Sequence, residues 1–196
     1  LATCSEGEEI VEYDSGIVTA KITEIQDGGF GDRACVDLTS ILEVGQGLLV
    51  GSSSNALVLI HGETLDSEFV PPRPFRINAG AVHGYVLMAD GSTKYLSELM
   101  AGDAVAICDS SGVVDEAIVG RMKIESRPFL IIRFEHKETG MVGQTFVQQA
   151  ETVRLISSTG EMPSVTSLNV GDSVLVQVDS SARHIGKNIL SGVEER

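Results

Sequence analysis

The chain has 196 residues, 42% of them hydrophobic, with 28 acidic side chains against 14 basic ones and a net charge of −14. That much apolar chain can bury a core, which excludes wholesale disorder. The lack of any basic run excludes a nucleic-acid or anionic-membrane surface, although a local Arg cluster can still receive a small anion. Twenty-one glycines with only 5% aromatics and no Trp imply frequent chain reversals, in one large domain or two small ones.

Taken in chain order, the apolar runs are all short. Residues 17–25, 48–51, 56–60, 82–88, 104–107, 117–119, 129–134, 152–156 and 173–178 are rich in β-branched residues and bounded by Gly, Asp, Ser or Pro, which is the strand pattern. Only 37–43 and 94–100 suggest helix, at barely two turns each. The polar stretch 135–143 is expected to be an exposed hairpin tip with His136 in solvent, and 109–112 and 179–182 to be turns. No apolar run approaches the roughly 18–20 residues that span a bilayer. Cys4, Cys35 and Cys108 have no Cys-x-x-Cys spacing, which points to a reducing, cytoplasmic setting rather than a zinc knuckle or disulfide scaffold. Residues 1–9 are acidic, unlike a signal peptide, and no initiator Met is present. Residues 1–16 are therefore expected to join a preceding region, and 17–196 to form the main domain.

An internal repeat organises that domain. At an offset of 69, Gly91, Leu99, Gly102-Asp103 and Val105 fall on Gly160, Leu168, Gly171-Asp172 and Val174. A weaker third copy, residues 39–48, carries Gln46 in place of the Asp. The expected fold is mostly β, with pseudo-symmetric repeated β units forming a barrel-like or sandwich-like domain with short helical turns. Gly-Asp before a strand is first of all turn chemistry. At an offset of 71, residues 79–83 also correspond to 150–154, which suggests that each unit brings a polar residue to an equivalent place.

Several residues could carry chemistry. His61 and Glu63, two apart at a strand end, face one side and suit either a metal or acid/base work. The bland alternative is a strand-end hydrogen bond. Arg73 and Arg76 are a fork pair suited to a carboxylate or phosphate, with Asn78 and His83 following on small residues; surface solubility is the alternative. Lys123 alternates with apolar neighbours and could act on a carbonyl or move protons, or simply pair with Glu125 on a wet face. Glu151, Arg154, Arg183 and His184 complete the set. His61, Glu63, His83, Glu151 and His184 are expected to converge on one pocket. There is no Gly-x-Gly-x-x-Gly turn, no phosphate-binding Gly-Lys-Ser/Thr loop, no Gly-x-Ser-x-Gly and no His-Glu-x-x-His.

The ordered blocks Gly31 to Asp37, Gly47 to Ser52, His61 to Thr64, Arg73 to His83, Tyr95 to Leu99, Val119 to Glu125, Gln149 to Leu155 and Arg183 to Gly186 resemble the type II 3-dehydroquinate synthases. The resemblance implies oxidative deamination of 2-amino-3,7-dideoxy-D-threo-hept-6-ulosonate with NAD as hydride acceptor, then ring closure to 3-dehydroquinate with release of ammonia. This activity serves aromatic amino-acid biosynthesis through the shikimate pathway. It further implies a small-molecule substrate, no nucleic acid or membrane, a homo-oligomer, and an N-terminal α/β half supplied by the same protein or a separate chain. On this reading Lys123, His83 and Glu125 are catalytic, and Arg73, Arg76, Asn78, Arg154 and Arg183 bind substrate. His61, Glu63, Glu151 and His184 would hold a divalent metal, manganese or zinc. Gly62, Ser126, Gln149 and Ile185 stand where that family usually has Ser, Arg, Asn and Phe. Those departures keep open a metal-dependent 3-amino-4-hydroxybenzoate synthase of the same family. A non-catalytic module that binds a small anion beside an N-terminal partner is the third possibility.

Overall fold

The computed structural model describes residues 16–179 and the backbone of two further short strands, 182–184 and 187–189. The strands are β1 (Ile17–Leu38), β2 (Gly47–Ser53), β3 (Ala56–His61), β4 (Arg76–Ala81), β5 (Tyr85–Leu87), β6 (Thr93–Tyr95), β7 (Ala104–Asp109), β8 (Gly112–His136), β9 (Met141–Gln148), β10 (Ser173–Val178), β11 (Ala182–His184) and β12 (Lys187–Ile189). Ten of them form one antiparallel sheet whose hydrogen bonding runs β3–β10–β1–β8–β7–β2 and returns to β3, closing a ring of strands. Strands β5 and β6 continue outward from β2, β4 pairs with β1, and β9 pairs with β8. The mostly-β expectation holds. The described residues contain no α-helix, only single 3-10 turns at Leu96–Glu98 and Val165–Ser167.

Period-2 alternation sorts the apolar runs onto two faces. Leu48, Val50, Ala56, Val58 and Ile60 join the larger buried cluster with Ile77, Ile132, Phe134 and Val174, while Leu49, Leu57 and Leu59 join the smaller one with Tyr85, Leu87 and Leu175. Strands β2 and β3 are thus apolar on both faces, which is why their sequences read as continuous hydrophobic runs.

The structure corrects several expectations. Segments 117–119 and 129–134 are parts of one 25-residue strand, β8, and 17–25 is the start of the 22-residue β1. Register shifts at Ile22/Glu24, Asp27/Phe30 and Asp37/Leu38 let these long strands bend while staying paired. Residues 37–43 are not helical, because Asp37 is held in β1 between two partner strands. Segment 152–156 is not a strand and makes only isolated bridges, Ile60 with Leu155 and Arg154 with Ser164. The hairpin tip narrows to the turn before β9, and His136 is buried rather than solvated, its Nδ1 lying 2.9 Å from Thr139 Oγ1 within that turn.

The three repeat units are real structures. Gly45, Gly102 and Gly171 have φ of 91°, 98° and 95°, a conformation open to glycine. In each unit the side chain after the glycine accepts the backbone N–H three residues earlier: Gln46 from Glu43 at 2.9 Å, Asp103 from Met100 at 3.0 Å and Asp172 from Asn169 at 2.8 Å. Gln46 therefore performs the Asp role. The 71-residue correspondence does not survive, because 79–81 lie in β4 while 150–153 form a turn.

Candidate functional site

The chemistry gathers where β1 runs between β4 and β8. Register places Arg33, Cys35 and Asp37 of β1 opposite Glu125, Lys123 and Arg121 of β8, and places Cys35 and Asp37 opposite Asn78 and Arg76 of β4. Alternate residues of three adjacent strands thus share one face. That face floors a cleft of about 520 Å³, within the usual range for a small-ligand site. The loop between β3 and β4 forms one wall with Glu63, Ser67, Phe69 and Arg73, and Gln148, Ala150, Glu151 and Thr152 form the other.

Charge is concentrated there. Arg33, Arg73, Arg76, Lys123 and Arg127 face three carboxylates, Glu63, Glu125 and Glu151, so this cleft is cationic in a chain of net charge −14. Glu125 accepts from Arg33 at 2.7 Å and Arg127 at 2.6 Å, and pairs with Lys123 at 3.1 Å. The Lys123 hydrogen bond, then the Arg127 and Arg33 charges, hold its carboxyl below the usual carboxylate range. Glu125 is therefore an ionised anchor for three cations. Burial pushes the Glu63 carboxyl up, against the opposing charge and hydrogen bond of Arg73 at 2.7 Å, and Glu63 ends above its ordinary value. Burial thus shifts Glu63 toward its protonated form, opposite in direction to Glu125.

The two expected fork arginines behave differently. Arg76 is committed to buried Asp37, with Nε at 2.6 Å and Nη2 at 2.9 Å, and Arg121 reaches the same carboxylate. Burial raises the Asp37 carboxyl, but the hydrogen bonds and charges of Arg76 and Arg121 outweigh it and hold it low. Arg73 donates only Nε, to Glu63, so its outer nitrogens make no side-chain hydrogen bond among the described residues. Arg73 is the fork open to a ligand.

Other expected residues lie elsewhere. His61 is buried beneath the Gly45 turn, where its Nε2 accepts the Gly45 N–H at 3.0 Å. The corresponding N–H groups of Gly102 and Gly171 go to the carbonyls of Val119 and Ile22, so the imidazole stands in for a backbone oxygen. His83 is exposed, bonds Ser52 Oγ at 3.1 Å and packs edge-on against Phe146, away from the cleft. Arg154 ties to the Met162 carbonyl at 2.7 Å, beside a shallow depression next to the cleft. The structure thus gathers Arg73, Arg76, Asn78, Lys123, Glu125, Glu63 and Glu151 and leaves out His61, His83 and Arg154. The side chains of Arg183 and His184 lie outside the described residues.

Among the described residues no three His, Cys, Asp or Glu side chains come together to hold a metal ion, so the expected metal set is not assembled by them. They also offer no Gly-rich strand-to-helix turn, and without an α-helix no helix N-terminus for a dinucleotide pyrophosphate. Sequence reasoning missed Arg33, Asp37, Gln148 and Arg127. The alternation Arg33-x-Cys35-x-Asp37 was the available signal for the first two.

The fold and cleft define a β-built domain that gathers basic side chains around one small cleft. The chain belongs to the type II 3-dehydroquinate synthase family: residues 19–196 match its 3-dehydroquinate synthase II C-terminal domain. It is 50% identical over 196 residues to the 3-dehydroquinate synthase of Methanothermobacter thermautotrophicus, covering all of this chain and 51% of that protein. Identity is 48% over 177 residues to that of Methanococcus aeolicus, covering 90% of this chain and 49% of the relative. It is 46% over 189 residues to that of Methanocaldococcus jannaschii, covering 96% and 52%. The chain spans about half the length of the curated relatives it matches. No solved structure matches it.

Proposed function

We propose that this chain supplies the substrate-anion cleft of a type II 3-dehydroquinate synthase, working with an N-terminal half of the kind its relatives carry. The observation that carries the reading is the cationic cleft itself, five basic side chains on and around one three-strand face of an acidic chain. In the proposed reaction the amine-bearing carbon of the amino-heptulosonate is oxidised to an imine, and water then releases ammonia and leaves a ketone. The carbon next to the second ketone, having lost a proton, attacks the new carbonyl and closes the ring. NAD would supply the hydride acceptor.

The residues of this chain have separate duties in that scheme. Arg73 and the Glu125-anchored cations hold the carboxylate and stabilise oxygen charge as it develops. Glu63 takes or gives the proton beside the reacting carbonyl. Lys123, 3.1 Å from Glu125, sets its ammonium on the cleft floor and offsets the negative charge of Glu125 near the bound anion. The test uses the full-length protein with the amino-heptulosonate and NAD. Ammonia and NADH should appear in equal amounts, with 3-dehydroquinate as product. Ammonia without NADH, or 3-amino-4-hydroxybenzoate as product, overturns the reading.

A further inference from the structure

Two of the five buried side-chain polar atoms that lack a hydrogen-bond partner among the described residues belong to adjoining residues of the cleft, Arg33 Nε and Asn78 Oδ1. Arg33 is 6% and Asn78 3% exposed. Leaving such groups unpaired is unfavourable by about 1–3 kcal/mol each, so their pairing with a bound group is the natural resolution. Both residues hang from one oxygen, because Gln148 Oε1 accepts Arg33 Nη1 at 2.6 Å and Asn78 Nδ2 at 2.8 Å. This shared oxygen settles both amides. Arg33 can only donate, so the Gln148 atom facing it is oxygen, and the Asn78 atom facing that oxygen is nitrogen. Asn78 Oδ1 is then an unused acceptor and Arg33 Nε an unused donor, held within a few hydrogen-bond lengths of each other.

The geometry points to Arg33 and Asn78 as a subsite for a carboxylate carrying a hydrogen-bond donor on the adjoining carbon, with Gln148 as the positioning residue that orients both. Arg33 takes the anionic oxygen, and Asn78 Oδ1 takes an N–H or O–H, as an α-amino acid end provides. This rests on the reading of the cleft as the amino-heptulosonate site and assigns that substrate's amino-carboxylate end to the floor between β1 and β4. Both residues line the cleft, and Gln148 holds both side chains at its floor.

The test is titration calorimetry on full-length protein without NAD, using the amino-heptulosonate and its analogue with hydrogen in place of the amine. The wild type should prefer the amino compound on the order of tenfold or more. Asn78→Ala should bring that ratio toward one, since the acceptor beside the Arg33 end of the subsite is gone. Asn78→Asp, which keeps an acceptor oxygen for the amine but gives up the Nδ2 donor to Gln148, should leave the ratio above that of Asn78→Ala. Gln148→Met should lower the ratio several-fold although Gln148 itself leaves the amine untouched, and Gln148→Glu, which again offers one oxygen to both donors, should restore it while weakening both ligands. A folded Asn78→Ala or Gln148→Met with the wild-type ratio overturns the subsite, as does an Asn78→Asp ratio no higher than that of Asn78→Ala. Selective binding without turnover would fail the enzyme reading and leave the subsite standing; turnover with a wild-type ratio near one would do the reverse.

Discussion

His61 shows how a residue that looks chemical can be structural. Its Nε2 accepts the Gly45 N–H, so the proton of the neutral ring sits on Nδ1. Burial, with the Arg154 charge added, pushes its pKa down to about 4. The unfolded chain therefore binds a proton near pH 6.5 that the folded chain refuses until about pH 4. The stability His61 contributes is present above pH 6.5 and lost as pH falls toward 4, by about 3 kcal/mol at most. Urea denaturation at pH 7 and pH 4.5 should show this drop, and His61→Gln, which cannot be protonated, should shrink it. The two fork arginines should separate in the same way. Arg73→Lys should raise KM about tenfold at unchanged stability, because the open fork is lost and its Glu63 partner can still be paired. Arg76→Lys should lower stability by about 2 kcal/mol, because Asp37, only 4% exposed, loses a two-pronged partner. Equal effects of both substitutions on urea midpoint and KM would contradict the distinction.

Turn and strand have unequal tolerance for the same substitution. Gly171 has φ of 95° with no atom within 4 Å of an added Cβ, so Gly171→Ala meets only backbone strain, about 1–2 kcal/mol. Gly80 has φ of 108°, and an added Cβ would lie 2.1 Å from the Phe146 carbonyl oxygen. There both terms act, and the strand that carries Asn78 would have to leave β9. Gly80→Ala should therefore lose more than about 3 kcal/mol, and ligand binding with it. Asp172→Ala, which removes the acceptor for the Asn169 N–H, should fall near 1 kcal/mol. Urea midpoints in the order Gly171→Ala above Gly80→Ala test the contrast.

Across the whole molecule, a net charge of −14 and a cationic cleft respond oppositely to salt. The acidic exterior repels itself, so screening should stabilise the fold, whereas the cleft attracts an anion, so screening should weaken binding. Raising ionic strength from about 0.05 to 0.5 M, where the Debye length falls from roughly 14 to 4 Å, should raise the melting temperature and raise KM a few-fold. A KM that stays constant would show that the cleft charges do not act on the substrate. Closure of the strand ring gives every ring strand two hydrogen-bonded neighbours, so screening of the exterior acts on a sheet with no free edge within the ring.

Composition and short-range pattern determined the β class, the three Gly-turn units and most strand positions, since period-2 alternation, glycine at positive φ and a side-chain acceptor beside it act within a few residues. The blocks around Arg73 to Asn78 and Lys123 to Glu125 were legible as chemistry for the same reason. Which of those side chains meet was decided only by tertiary structure. Arg33 faces Glu125 across 92 residues and Asn78 reaches Gln148 across 70. Those contacts are set by the register of β1 against β8 and β4 and of β9 against β8, and register depends on bulges and ring closure that no local window contains. His83 shows the converse: it follows a block that lines the cleft and still points elsewhere, because β4 ends two residues before it and the chain turns toward Ser52 and Phe146.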